Sequence, residues 1–162
     1  MLERDVEERL EMWRQLNRRF SEFVPFNKAL GIKVVRLEQG EAWLRLPYAD
    51  HLVGNPENGV MHGGAISSLM DAAGGSAAFM SLDDATPVAT LDLRIDYLKP
   101  ATPGRDVVGH ASCYKLTRNV AFVRGLAFHE DEEDPIASVA GTFMIGTPLH
   151  RRDAPTDAEG QP

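Results

Sequence analysis

The apolar positions change their period along the chain. Over residues 2–23 they fall at Leu2, Val6, Leu10, Trp13, Leu16, Phe20 and Phe23, among Glu and Arg. That spacing predicts an amphipathic helix, whose stripe packs on the domain or a partner subunit or serves as a lid over a ligand tunnel. Pro25 ends it, because the residue before a proline avoids helical geometry. Residues 26–31 follow as a short turn or helix. The period then drops to two. Residues 32–37 and 41–46 predict a hairpin around Gln39-Gly40, with Ala42, Leu44 and Leu46 on one face and Glu41, Trp43 and Arg45 on the other. Trp43 reads as an interface or surface-packing residue. After a Pro/Asn/Gly-rich loop, helical spacing returns at Ile66, Leu69, Met70, Ala73, Ala77 and Met80. Ala72, Ala78 and Phe79 widen the apolar surface until little of the circumference is polar, which predicts a buried helix.

Four strands follow in meander order, over 88–98, 106–116, 120–130 and 136–145. Leu91, Leu93, Ile95 and Tyr97 alternate against Asp92, Arg94 and Asp96. Residues 115–119 form a hairpin tip and 131–134 an acidic, solvated turn. Gly109, Gly125 and Gly141 fall one per strand, the mark of bulges or close backbone approach in a sheet curling around a helix. A buried helix needs a cover, and one long antiparallel sheet is available: the fold class is α+β. From residue 147 the Pro/Asp/Arg/Gly-rich sequence has no pattern and predicts a disordered tail. The expected division is an N-terminal helix over 1–24, one domain over 25–146 and the tail over 147–162.

Composition narrows the function. The 162 residues are 43% hydrophobic, which suits one globular core. A formal net charge of −7 argues against nonspecific nucleic-acid binding. The single cysteine, Cys113, excludes an intrachain disulfide and fits a reducing compartment. No apolar run is long enough to span a membrane and the charged start is no secretory signal, so a cytoplasmic location is expected. The five histidines are scattered without metal-ligand spacing, and no phosphate-binding, dinucleotide or serine-hydrolase motif appears. No cofactor and no metal are expected.

Chemistry concentrates at His62-Gly63-Gly64 and Asp71. An ionised carboxylate in an apolar helix is costly unless paired. Asp71 is therefore either a structural acid or a catalytic base or nucleophile. Glycines at a helix start let unsatisfied backbone N–H groups approach a ligand, and such donors stabilise an oxyanion. Gly63 and Asp71 lie eight positions apart, roughly 12 Å along one helix. Both reach one carbonyl only if Gly63 of one chain meets Asp71 of another, in a two-fold dimer. His62 either caps the helix start or contacts substrate. Gly74-Gly75 allows close packing against a partner backbone, or room for an apolar ligand beside the helix.

The HGG-then-Asp pattern resembles the hotdog-fold acyl-CoA thioesterases of the PaaI type. Val24-Pro-Phe-Asn-Lys-Ala-Leu-Gly31, Val53-Gly-Asn55 and Leu91-Asp-Leu-Arg-Ile-Asp-Tyr-Leu-Lys-Pro100 are similar to the YigI-type branch. The resemblance implies a long central helix wrapped by a curved antiparallel sheet, and edge-to-edge pairing of two sheets into a homodimer, with dimers of dimers in some members. It implies hydrolysis of medium/long-chain or aryl acyl-CoA to acid and coenzyme A. By the same resemblance Asp71 is base or nucleophile and Gly63 polarises the thioester carbonyl. Gly64 permits the close turn, Asn55 (or Asn58) places water or thioester, and Thr90 supports the carboxylate. Strand parity puts Thr90 on the face of Asp92 and Arg94, so its direction is open unless a bulge intervenes. Lys99, Lys115 and Arg118 are the candidates for the coenzyme A phosphates. The alternative is a non-catalytic acyl-CoA-sensing module. DNA-binding and dehydratase motifs are missing.

Overall fold

The computed structural model describes residues 24–146. The helix expected over 2–23 and the tail expected from 147 lie outside them. Helix α1 (Pro25–Leu30) begins on a proline, whose missing N–H costs nothing at a helix start. It ends at Gly31 in the left-handed region, φ 73°. Strands β1 (Lys33–Glu38) and β2 (Glu41–Leu46) form the expected hairpin. The following loop is more ordered than its composition suggests: a 3-10 turn (Asp50–Leu52) leads into a small hairpin of β3 (Val53–Asn55) and β4 (Val60–Met61). Helix α2 (Gly63–Met80) is the long helix, and β5 (Val88–Tyr97), β6 (Val107–Leu116), β7 (Val120–Phe128) and β8 (Ala137–Ile145) complete the chain.

Six strands make one antiparallel sheet in the order β1-β2-β6-β7-β8-β5. Strand β5 closes the order at one edge, so among the described residues it pairs with β8 alone. Ala42, Leu44 and Leu46 of β2, Val107 and Ala111 of β6, Ala121 and Val123 of β7, and Phe143 of β8 are buried against α2. Small residues let the layers approach. A Cβ on Gly109 would lie 2.8 Å from Met70 Sδ, and one on Gly125 3.0 Å from Met70 Cε. The two strand glycines thus form a notch for a side chain of α2.

Gly74 answers Phe143 in the same way, since a Cβ there would lie 2.8 Å from Phe143 Cζ. At Gly74 the close packing is thus against a side chain of the chain's own sheet. Gly74→Ala sets two effects against each other. Helix propensity favours alanine by about 1 kcal/mol, while overpacking a filled core costs about 1–3 kcal/mol. The clash is with an aromatic ring fixed at 1% exposure, so overpacking is expected to win. Urea unfolding should show a net loss of about 1 kcal/mol, reduced when Phe143→Leu is added.

On the outer face, Arg36, Trp43 and His110 stand in one row across β1, β2 and β6. The Arg36 guanidinium lies 4.3 Å over the indole, and the His110 ring stacks on it at 4.1 Å and 8°. Trp43 is a surface-packing residue in this chain. The acidic turn, residues 131–134, is exposed as expected, and it is also paired. Glu132 pairs with His110 Nδ1, Asp134 pairs with Lys99, and neighbouring Glu130 pairs with Arg105 at 3.0 Å. A run of like charge meets basic side chains from three separate places in the chain, which no local pattern reveals.

Candidate active site

Helix α2 is less enclosed than its composition predicts. Gly63, Ser67, Asp71, Gly75 and Phe79 are all half-buried, while the intervening Ile66, Leu69, Met70, Ala73 and Ala77 are buried. Spacing of four places the five on one winding stripe. The stripe runs beside the edge strand β5, and both glycine and acid lie on it.

Asp71 sits in the middle. Thr90 Oγ1 donates to Asp71 Oδ1 at 2.7 Å. The strand register slips between Thr90 and Asp92, a bulge that reverses side-chain parity. Leu93 and Ile95 then pack toward the core while Thr90, of the opposite parity, still reaches the helix. The open direction of Thr90 is resolved by that irregularity.

Gly63 opens the helix. His62 is the N-cap, and its Nδ1 accepts the Gly64 N–H at 2.8 Å. The Gly64 donor is thereby used, whereas the Gly63 N–H has no protein acceptor among the described residues. Tyr97 Oη donates to the Gly63 carbonyl at 2.6 Å and lies 2.9 Å from Ser67 Oγ. A cleft of about 410 Å³ opens there, lined by Val60, Met61, Gly63, Ile66, Leu98 and Lys99 among others. Its lining is mainly apolar.

Other candidates fall elsewhere. Asn55 Oδ1 accepts the Glu57 N–H and Asn58 Oδ1 the Val60 N–H, so both side chains serve the β3–β4 turn. Neither bonds to Asp71 or Gly63 in one chain. Lys99 borders the cleft, its ammonium paired with Asp134. Lys115 and Arg118 lie at the β6–β7 hairpin, whose tip is tied to the far end of β8 by Ile145 N–H to Asn119 O, 2.8 Å. That end is level with the start of β5 and Thr90, not with Gly63. Within one chain the three cations are divided. Tyr97 and Ser67 had no place in the reading of the motif. The signal was available: Tyr97 shares parity with Leu93 and Ile95, and a phenol on an inward face requires a partner.

Among the described residues no helix is long and apolar enough to cross a membrane, and no three His, Cys, Asp or Glu side chains cluster to hold a metal.

The thioesterase superfamily model matches residues 58–136. The medium/long-chain acyl-CoA thioesterase YigI of Escherichia coli strain K12 is 32% identical over 136 residues, covering 76% of this chain and 86% of that protein. A solved structure from Pseudomonas aeruginosa has 47% identity and TM-score 0.72, over 79% of this chain and 95% of that one. A mutant of the phenylacetic acid degradation protein PaaI from Thermus thermophilus has 30% identity and TM-score 0.65, over 74% and 97%. With its central helix, its curved antiparallel sheet and these relatives, the chain belongs to the thioesterase superfamily and is a thioester hydrolase of the hotdog fold.

Proposed function

We propose that the chain hydrolyses acyl-CoA thioesters with medium/long-chain or aryl acyl groups, at sites shared between two copies. The observation that carries this is the half-buried stripe with Gly63 at its head and Asp71 two turns on, flanked by the edge of β5 that no described strand pairs. On one helix the two groups stand roughly 12 Å apart. Strand β5 has Thr90 and Asp71 at one end and Tyr97 and Gly63 at the other. Antiparallel pairing of β5 with its own copy brings the Asp71 end of one chain to the Gly63 end of the other. It also covers the exposed Leu91 and Leu98 and removes a long open edge. The same operation carries Lys115 and Arg118 of the second copy toward Lys99, uniting the three cations for the coenzyme A phosphates.

In this reading the Gly63 N–H polarises the thioester carbonyl and receives its developing negative charge. Asp71, held by Thr90 through one oxygen, uses the other to take a proton from the attacking water. The tetrahedral intermediate then breaks its C–S bond, and the departing sulfur takes the proton held by Asp71, which releases coenzyme A as the thiol and restores the carboxylate. Direct attack by Asp71 would instead form a mixed anhydride. Label found in Asp71 after a single turnover in oxygen-18 water would establish the anhydride route, because only that route can place it there. His62 and Gly64 shape the turn, and Asn55 or Asn58 of the β3–β4 turn places water or thioester from its rim. YigI is named for medium/long-chain acyl-CoA, and the apolar cleft suits such groups.

The test is release of free coenzyme A from short, medium, long and aryl acyl-CoAs. Fastest turnover on medium/long-chain or aryl members is expected. Tight binding without turnover on every member would replace hydrolysis by sensing.

A further inference from the structure

A backbone donor on glycine has a weakness. Glycine is the most permissive residue in φ and ψ, so its N–H is poorly aimed unless something outside the chain's own preferences fixes it. The Gly63 N–H belongs to the peptide unit before the glycine, whose His62 carbonyl accepts the Ala65 N–H at 3.0 Å. The peptide unit after Gly63, joined to it only through the glycine's own φ and ψ, is held from both sides. Its carbonyl accepts from Tyr97 Oη at 2.6 Å, and its Gly64 N–H donates to His62 Nδ1 at 2.8 Å. The phenol proton is committed to the Gly63 carbonyl, so Ser67 Oγ, 2.9 Å away, donates to the phenol oxygen. The result is a chain of hydroxyls, Ser67 to Tyr97 to Gly63. Ser67 is one helical turn from Gly63, so the relay begins and ends on α2 while passing through β5. A Cβ on residue 63 would come 3.1 Å from Tyr97 Oη and 3.3 Å from Cζ. Glycine at 63 therefore also makes room for the phenol.

We propose that Tyr97, supported by Ser67, is a positioning residue that aims the Gly63 N–H at the thioester carbonyl; this rests on the thioesterase site described above. The Tyr97 ring borders the cleft, but its hydroxyl faces the helix backbone rather than a substrate. The hydroxyl acts through the geometry of Gly63 and transfers no proton.

The alternative role is a plain tie between β5 and α2, and kinetics distinguish them. Tyr97→Phe keeps the ring and the cleft wall and removes one oxygen. With the full-length protein and its best acyl-CoA, Tyr97→Phe is expected to lower kcat about tenfold, because small misplacements of a reacting group have large rate effects. KM should stay within about twofold, the pattern of an interaction felt in the transition state. Ser67→Ala should lower kcat less, and should add nothing in the Tyr97→Phe background, because both act through one relay. An unchanged kcat in Tyr97→Phe, a raised KM at constant kcat, or strict additivity of the two substitutions would overturn the proposal. Should Tyr97→Phe fail to fold, Ser67→Ala reads the same relay by its own kcat-against-KM split. A wild-type protein inactive on every acyl-CoA overturns the underlying function as well. An active wild type with an unaffected Tyr97→Phe overturns this inference alone.

Discussion

Asp71→Asn is expected to reduce acyl-CoA hydrolysis about a thousandfold, the middle-to-upper range for loss of a general base. The substitution is nearly isosteric, and Thr90 Oγ1 can donate to the amide oxygen as it does to Asp71 Oδ1 at 2.7 Å. The local geometry therefore survives while the group loses its capacity to take a proton. Asp71 is half-buried on the open stripe of α2, so replacing it leaves no unpaired charge in the core. Coenzyme A release measured with a thiol reagent, beside a thermal melt, checks both halves. Retained activity at an unchanged melt would remove Asp71 from the reaction. Loss of activity together with the fold would return it to a structural role.

Gly63→Pro is expected to reduce the rate about 10²–10³-fold, the effect of losing one oxyanion donor. Proline is rarely a surgical substitution, but the position favours it. Gly63 is the first residue of α2, where an N–H has no intrahelical partner and proline is welcome. His62 already has φ −63° and ψ 132°, the extended conformation a following proline requires. The new Cβ meets the Tyr97 side chain, 3.1 Å from Oη and 3.3 Å from Cζ, which must give by a few tenths of an ångström. The melt monitors that cost. Pairing the two variants tests the shared site. A heterodimer of Asp71→Asn and Gly63→Pro chains contains one doubly damaged site and one intact site. Random assortment on co-expression should restore about a quarter of wild-type activity. No recovery beyond the parents would place both groups in a single chain.

The architecture was legible because each element has its own period. Strands expected over 88–98 and 120–130 appear as Val88–Tyr97 and Val120–Phe128, and the small-residue helix is the buried centre. The separation of Gly63 from Asp71 was readable too, since eight positions on a helix have a known length. What escaped reading depends on contacts distant in sequence. The bulge after Thr90 changes side-chain direction without altering composition. The open stripe through Ser67 and Gly75 is invisible in a helix whose small residues suit burial and exposure alike. The pairing of Glu132 and Asp134 left no local signal, because their partners, His110 and Lys99, come from other strands and loops. Tyr97 was seen as part of a motif, and its partner at residue 63 became evident only once β5 lay beside α2.

The notch of Gly109 and Gly125 has a consequence for oxidative chemistry. Met70, the residue before Asp71, is fully buried with its thioether against both glycines, whereas Met144 on the outer face is 40% exposed. A sulfoxide carries an added oxygen and a strong dipole. The notch has no room for the first and no partner for the second. Peroxide therefore reaches Met144 in the folded chain but Met70 only when the helix parts from the sheet. Sulfoxide at Met70, quantified by peptide mass, is a clock for that opening, running one residue away from the carboxylate on which catalysis depends.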